Sequence, residues 1–107
     1  MNIRFEYLYR DSGNFKKWGD VVFSNIDNIT SETAMKEIFK YLDEGLYFKA
    51  EDIEVDDLHF DEFNPLLDHY WHEFHGCAET EDDVTDVQYR DIKTIISKLK
   101  STIMENT

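Results

Sequence analysis

Ile3, Phe5, Tyr7 and Tyr9 alternate with Arg4, Glu6, Leu8 and Arg10 at the start of the chain. A period of two in β-favouring residues predicts a strand over 2–10 with an odd-numbered face, Ile3, Phe5 and Tyr7, buried. Asp11-Ser12-Gly13-Asn14 is a turn cluster, and Trp18 to Phe23 reads as the returning strand of a hairpin, with Gly19 as its expected bulge. After a polar connection the period changes. Met35, Ile38, Phe39, Leu42 and Leu46 recur at three and four residues, which predicts an amphipathic helix over 31–44. Thr30 or Ser31 suits its start and Gly45 its end. Ile92, Ile95, Ile96, Leu99 and Ile103 repeat the helical spacing, and Thr85-Asp86-Val87-Gln88 has the form of a capping box. A second helix is therefore expected over about 86–103, burying Ile96 and Leu99 against the sheet, with Met104 to Thr107 frayed.

Between the helices the pattern is less regular. Tyr47-Phe48-Lys49-Ala50 fits a short strand or a helix extension. Ile53 and Val55 share one parity, Leu58 and Phe60 the other, and a kink near Asp56-Asp57 reconciles them. Asn64-Pro65 signals a turn. His69 to His75 reads as an aromatic-rich strand ended by Gly76, and Glu79 to Asp83 as a charged loop. The order is β-β-α-β-β-α with a weak third strand. This is an α+β fold in one domain, 1–107. An antiparallel sheet of three to four strands, the N-terminal hairpin plus one or two later strands, is packed by two amphipathic helices.

Charge sharpens this picture. Of the 24 Asp and Glu, 16 lie between Asp43 and Asp86, where Lys49 is the one base among the chain's 11 Lys and Arg. With sixteen acids against one base, segment 43–86 carries −15, whereas the rest, eight acids against ten bases, carries +2. The net −13 belongs to the middle of the chain. That segment also holds Tyr47, Phe48, Phe60, Phe63, Tyr70, Trp71 and Phe74. Such a field repels phosphate backbones and anionic bilayers, so neither direct nucleic-acid contact nor membrane binding is expected. No run of 18 apolar residues exists, and Met1 to Glu6 lacks the form of a signal peptide. With a lone cysteine, Cys77, these features predict a cytoplasmic protein.

Candidate chemistry is sparse. Asp68, His69, His72, His75 and Cys77 are ligand types for zinc, but His69-x-x-His72-x-x-His75 matches no usual zinc spacing, and in a strand His72 points away from the other two. Asp52-Ile53-Glu54-Val55-Asp56 begins like a calcium loop, yet Asp57 replaces the required glycine and Phe63 the bidentate glutamate. Cys77 lies among carboxylates, which disfavour a thiolate, and is expected to act as a small apolar residue. No phosphate-binding loop or nucleophile elbow is present. No catalytic set, metal or cofactor is assigned. Arg90, Lys93 and Lys100 fall near one polar stripe, either solvated or paired with the acidic segment.

Two functional classes follow. The first is a small acidic protein-binding module, an inhibitor or immunity-type protein covering a basic, nucleic-acid-binding surface of a partner. Its contacts would be Asp52, Glu54, Asp56, Asp57, Asp61 and Glu62, with Phe63, Tyr70 and Trp71 as anchors. The alternative is a metal-dependent enzyme or metal-binding protein using His69, His72 and His75. A third reading, an acidic surface serving solubility alone, needs no partner.

Overall fold

The computed structural model describes residues 1–105. Four strands, β1 (Asn2–Arg10), β2 (Lys16–Phe23), β3 (Tyr47–Phe48) and β4 (His72–Thr80), form one sheet in the order β2-β1-β4-β3. Every pairing is antiparallel. Helix α1 (Ser31–Phe39) follows the hairpin, a 3-10 turn (Ala50–Ile53) follows β3, and α2 (Ile92–Glu105) follows β4. The fold is α+β with a four-stranded antiparallel sheet.

The odd face of β1 is the centre of the core. Ile3, Phe5, Tyr7 and Tyr9 are buried there with Phe23, Phe48 and Phe74. The helices contribute Ala34 and Ile38 from α1, and Ile92, Ile95 and Leu99 from α2; Ile96 is partly buried. Aromatic packing is edge-on or tilted, as the ring quadrupole favours, with Phe5 touching Tyr7, Phe23, Phe48 and Phe74 at centroid distances of 5.0–6.1 Å.

Several boundaries differ from expectation, each for a physical reason. Gly19 is no bulge, since β1 and β2 pair without a slip from Ile3–Phe23 to Arg10–Lys16. A Cβ at Gly19 would stand 2.9 Å from the Leu58 side chain, so the glycine admits a close approach. The irregularity lies on the other side of β1, where the register against β4 slips between Glu6–Gly76 and Tyr7–Phe74, leaving His75 as the extra residue. That bulge carries β4 past Gly76 to Thr80, which pairs with Asn2. Glu79 therefore lies in the strand, outside any loop, and His69, Tyr70 and Trp71 precede it.

Thr30 caps α1, accepting the Thr33 amide at 3.1 Å. The helix stops at Phe39, short of Leu42 and Leu46, and Gly45 (φ +69°) instead serves a tight turn in which Asp43 and Tyr47 exchange backbone hydrogen bonds of 2.8 and 2.9 Å. α2 starts at Ile92, beyond the expected capping box Thr85–Gln88. Thr85 Oγ1 accepts the Val22 amide of β2 at 2.8 Å, and Asp91 accepts the Lys93 amide at 3.1 Å at the helix start. Asn106 and Thr107, part of the stretch expected to fray, lie outside the described residues.

Candidate functional site

Residues 54–71 contain no helix or strand. Unstructured connections beyond about 12–15 residues are uncommon in compact folds and are usually functional or disordered. This one is held to the sheet at intervals by buried side chains. Arg90 Nη1 donates to the Ile53 carbonyl at 2.6 Å and Nη2 to the Glu54 carbonyl at 2.9 Å. Tyr7 O–H donates to the Asp56 carbonyl, and Tyr9 O–H to the His69 carbonyl, both at 2.7 Å. Between these points the Leu58 amide donates to His72 Nε2 at 3.0 Å while its side chain fills the space over Gly19. At the far end Asp68 accepts the amides of Ser12 at 3.0 Å and Asn64 at 2.9 Å.

These contacts follow from elementary chemistry. Two tyrosines on a buried strand face bring hydroxyls that need acceptors, and loop carbonyls supply them. Burial, and next the nearby Asp56 charge, raises Tyr7 well above the usual phenol range; burial, then Asp68, raises Tyr9 to about 12. Both therefore stay protonated donors. Asp68 is held below the usual carboxylate range by the amide of Asn64 and then that of Ser12.

Arg90 is not part of an exposed stripe. It is buried with Asp86, Nε donating to Oδ2 and Nη2 to Oδ1, each at 2.9 Å, beneath the Phe23 ring. The hydrogen bond to Arg90 holds the Asp86 carboxyl low and raises the guanidinium. A buried pair of this kind is tolerated because both partners and the two loop carbonyls are satisfied. Lys93 pairs with Asp27 at 2.7 Å, and Lys98 with Glu54 at 3.1 Å.

Asp57, His59 and His72 form the one candidate ligand group among the described residues. Asp57 Oδ1 lies 2.8 Å from His59 Nδ1 and 3.7 Å from His72 Nε2. His72 is 1% exposed, and its imidazole is lowered to about 4, first by burial and then by His59, so it is neutral near pH 7. A neutral imidazole has one lone pair, here facing the Leu58 N–H. Metal ligation by Nε2 and attachment of the loop are thus mutually exclusive at this atom. The grouping of His69, His72 and His75 is not formed. His69 Nδ1 accepts the Trp71 amide at 3.1 Å, and His75 stands in the β4 bulge against Trp18 at 4.9 Å between centroids. Burial, and next Glu6, raises Cys77 to about 12, leaving it a protonated thiol.

The nine residues of the expected binding face are divided. Asp56, Asp61 and Glu62 are exposed and make no ion pair among the described residues. Asp57 is exposed but engaged by His59, and its Oδ1 also accepts the His59 amide at 2.7 Å. Phe63 stacks against His59 and Tyr70 at 4.6 and 4.9 Å, making a short aromatic platform. Glu54 is turned away in a left-handed conformation (φ 53°) and paired with Lys98. Asp52 and Trp71 line a separate cavity of about 270 Å³ with Tyr41, Tyr47 and Leu99, where Lys49 Nζ sits 5.2 Å from the Trp71 ring centre.

Sequence reasoning missed the apolar tip of the loop. Leu66 is 91% exposed and Leu67 70%. Leu67 borders an open groove of about 710 Å³ between the loop and the hairpin turn, lined also by Phe15, Phe60, Asp11, Asp61 and Glu62. Two consecutive leucines after Asn64-Pro65 were the available signal. Compared with known proteins, the chain matches no family model, no curated protein and no solved structure.

Proposed function

We propose that this chain is a small acidic binding module whose loop, 54–71, receives a basic protein surface. The observation that carries the reading is the groove beside that loop, where Asp61, Glu62 and Asp11 surround the exposed Leu67 and Phe15. Acids steer a cationic partner and set its association rate, while desolvated apolar anchors set dissociation. In this reading the two amphipathic helices pack the sheet as scaffold, and the pinned loop presents its contacts already ordered, which reduces the entropy lost on binding. Covering a partner's nucleic-acid-binding face would inhibit it, the action of an immunity-type protein in the cytoplasm. No helix among the described residues is long and apolar enough to cross a membrane.

The test is the native complex, isolated with its partner identified by mass, followed by binding kinetics on Asp61→Asn/Glu62→Gln and on Leu66→Ser/Leu67→Ser. The acid variant should associate several-fold more slowly at low salt and converge with the parent at about 1 M, where screening shortens to ~3 Å. The leucine variant should dissociate faster. Unchanged rates in both would remove this loop from the interface.

A further inference from the structure

Strand β2 is an edge of the sheet, beside the acidic loop at Lys16 and open along its outer side as far as Asp20. Val22 of β2 directs its amide and carbonyl outward, to Thr85 Oγ1 and to the Thr85 and Asp86 amides. Strand residues alternate in the side to which their backbone groups point, and β2 pairs with β1 without a slip. Lys16, Trp18 and Asp20 therefore direct their amides and carbonyls outward like Val22, and these meet no hydrogen-bond partner among the described residues. An edge of this kind is a template for another strand. Trp18, at its middle, is 54% exposed and touches His75 edge-on.

We infer that two copies of this chain pair through β2, antiparallel and centred on Trp18, joining two four-stranded sheets into one of eight. The occupant follows from the charge pattern of the edge. An antiparallel two-fold about Trp18 places Lys16 of each copy opposite Asp20 of the other, and Lys17 opposite Gly19. Each outward amide and carbonyl of Lys16, Trp18 and Asp20 then meets its counterpart, and opposite charges face each other twice. Moving the pairing by two residues toward Phe23 would require Val22, whose outward groups already bind Thr85 and Asp86. Moving it the other way loses both charge pairs. The interface is isologous, the same patch on both copies, as closed two-fold dimers require. Bases offset the acids along this edge. The first 42 residues hold six of the bases and six of the acids, and Arg4 of β1 holds both Asp20 and Asp82 beside it. This edge shares Lys16 with the groove of the proposed binding loop but Trp18 lies outside that groove, so Trp18→Pro separates a failure of the dimer from a failure of the loop.

Sedimentation equilibrium over a range of concentrations tests it. The parent should approach twice the chain mass of 12.8 kDa. Trp18→Pro removes the central outward amide, at a position where an edge strand tolerates proline, and should give a monomer with unchanged far-UV circular dichroism. Lys16→Glu should raise the dissociation constant about tenfold by setting like charges opposite each other twice, and Lys16→Glu/Asp20→Lys should bring it back toward the parent. A parent that stays monomeric at every concentration overturns the inference. So does a dimer indifferent to Trp18→Pro, or a double reversal no better than Lys16→Glu.

Discussion

The acids of stretch 72–91 and those of loop 54–71 are equally dense in the chain but end in different surroundings. In the later stretch, arginines reach three of the carboxylates: Arg10 binds Glu73 at 2.8 Å, Arg4 binds Asp82 and Arg90 binds Asp86. Each arginine but Arg90 comes from β1, so sheet pairing brings cation and anion together across more than 60 residues. In the loop no arginine reaches a carboxylate: Glu54 meets Lys98, Asp68 and Asp57 meet backbone amides and a histidine, and Asp56, Asp61 and Glu62 are exposed without an ion pair among the described residues. A run of negative charge in a sequence is therefore not yet a negative surface. What remains after folding depends on which strands the cations sit in.

That contrast can be broken at its strongest point. Arg90→Ala should destabilise the fold by about 3–5 kcal/mol, because it leaves Asp86 charged and buried and frees the Ile53 and Glu54 carbonyls. A urea titration reads it. A loss below ~1 kcal/mol, the range of exposed ion pairs, would make this pair no different from a surface contact.

The loop's own attachment responds to acid. An unfolded histidine titrates near 6.5, whereas folded His72 is lowered to about 4. Between those values the unfolded chain binds more protons, so stability should fall as pH drops from about 6.5 toward 4, by roughly 3 kcal/mol in all, and level off for this group below that. His72→Gln should show a flatter dependence over the same window. Equal slopes in denaturant titrations of the two proteins would show that the Leu58–His72 bond does not couple to protonation.

A smaller effect sharpens how the loop lies on the sheet. Gly19→Ala places a methyl 2.9 Å from Leu58 and should cost about 1–3 kcal/mol. Combined with Leu58→Ala, the two changes should not add, since the second removes what the first collides with. Additive losses would place Leu58 elsewhere.

The regular parts of this fold were legible because their causes are local. Alternation over Ile3 to Tyr9 gave β1 and its buried face, Thr30 gave the start of α1, and Ile92 to Ile103 gave the body of α2. Boundaries failed where a side chain served a distant partner. Thr85 looks like a helix cap from its neighbours, yet it bonds Val22, 63 residues away. The strand read at His69 to His75 shifted forward because its length follows β1, whose first residue pairs with Thr80. The loop's order was the least legible feature, since the Tyr7 and Tyr9 hydroxyls act across 49 and 60 residues. The one hint was that tyrosines on a buried face need acceptors. Asp61, Glu62 and Phe63 stay together in the loop as they are in sequence, but Asp52, Glu54 and Trp71, grouped with them by sequence neighbourhood, are turned by folding to other surroundings.

The central claim is that the acids Asp61 and Glu62 of the loop stay without an ion pair, whereas arginines offset Glu73 and Asp86. It can be measured without any partner, from the paramagnetic relaxation of backbone amides by a cationic and by an anionic nitroxide of the same size. The ratio of cationic to anionic effect should peak at the amides of 60–64 and be markedly smaller near Glu73 and Asp86, where arginines stand beside the acids. Equal ratios over the two regions, or a larger ratio near Glu73 and Asp86, would contradict the account.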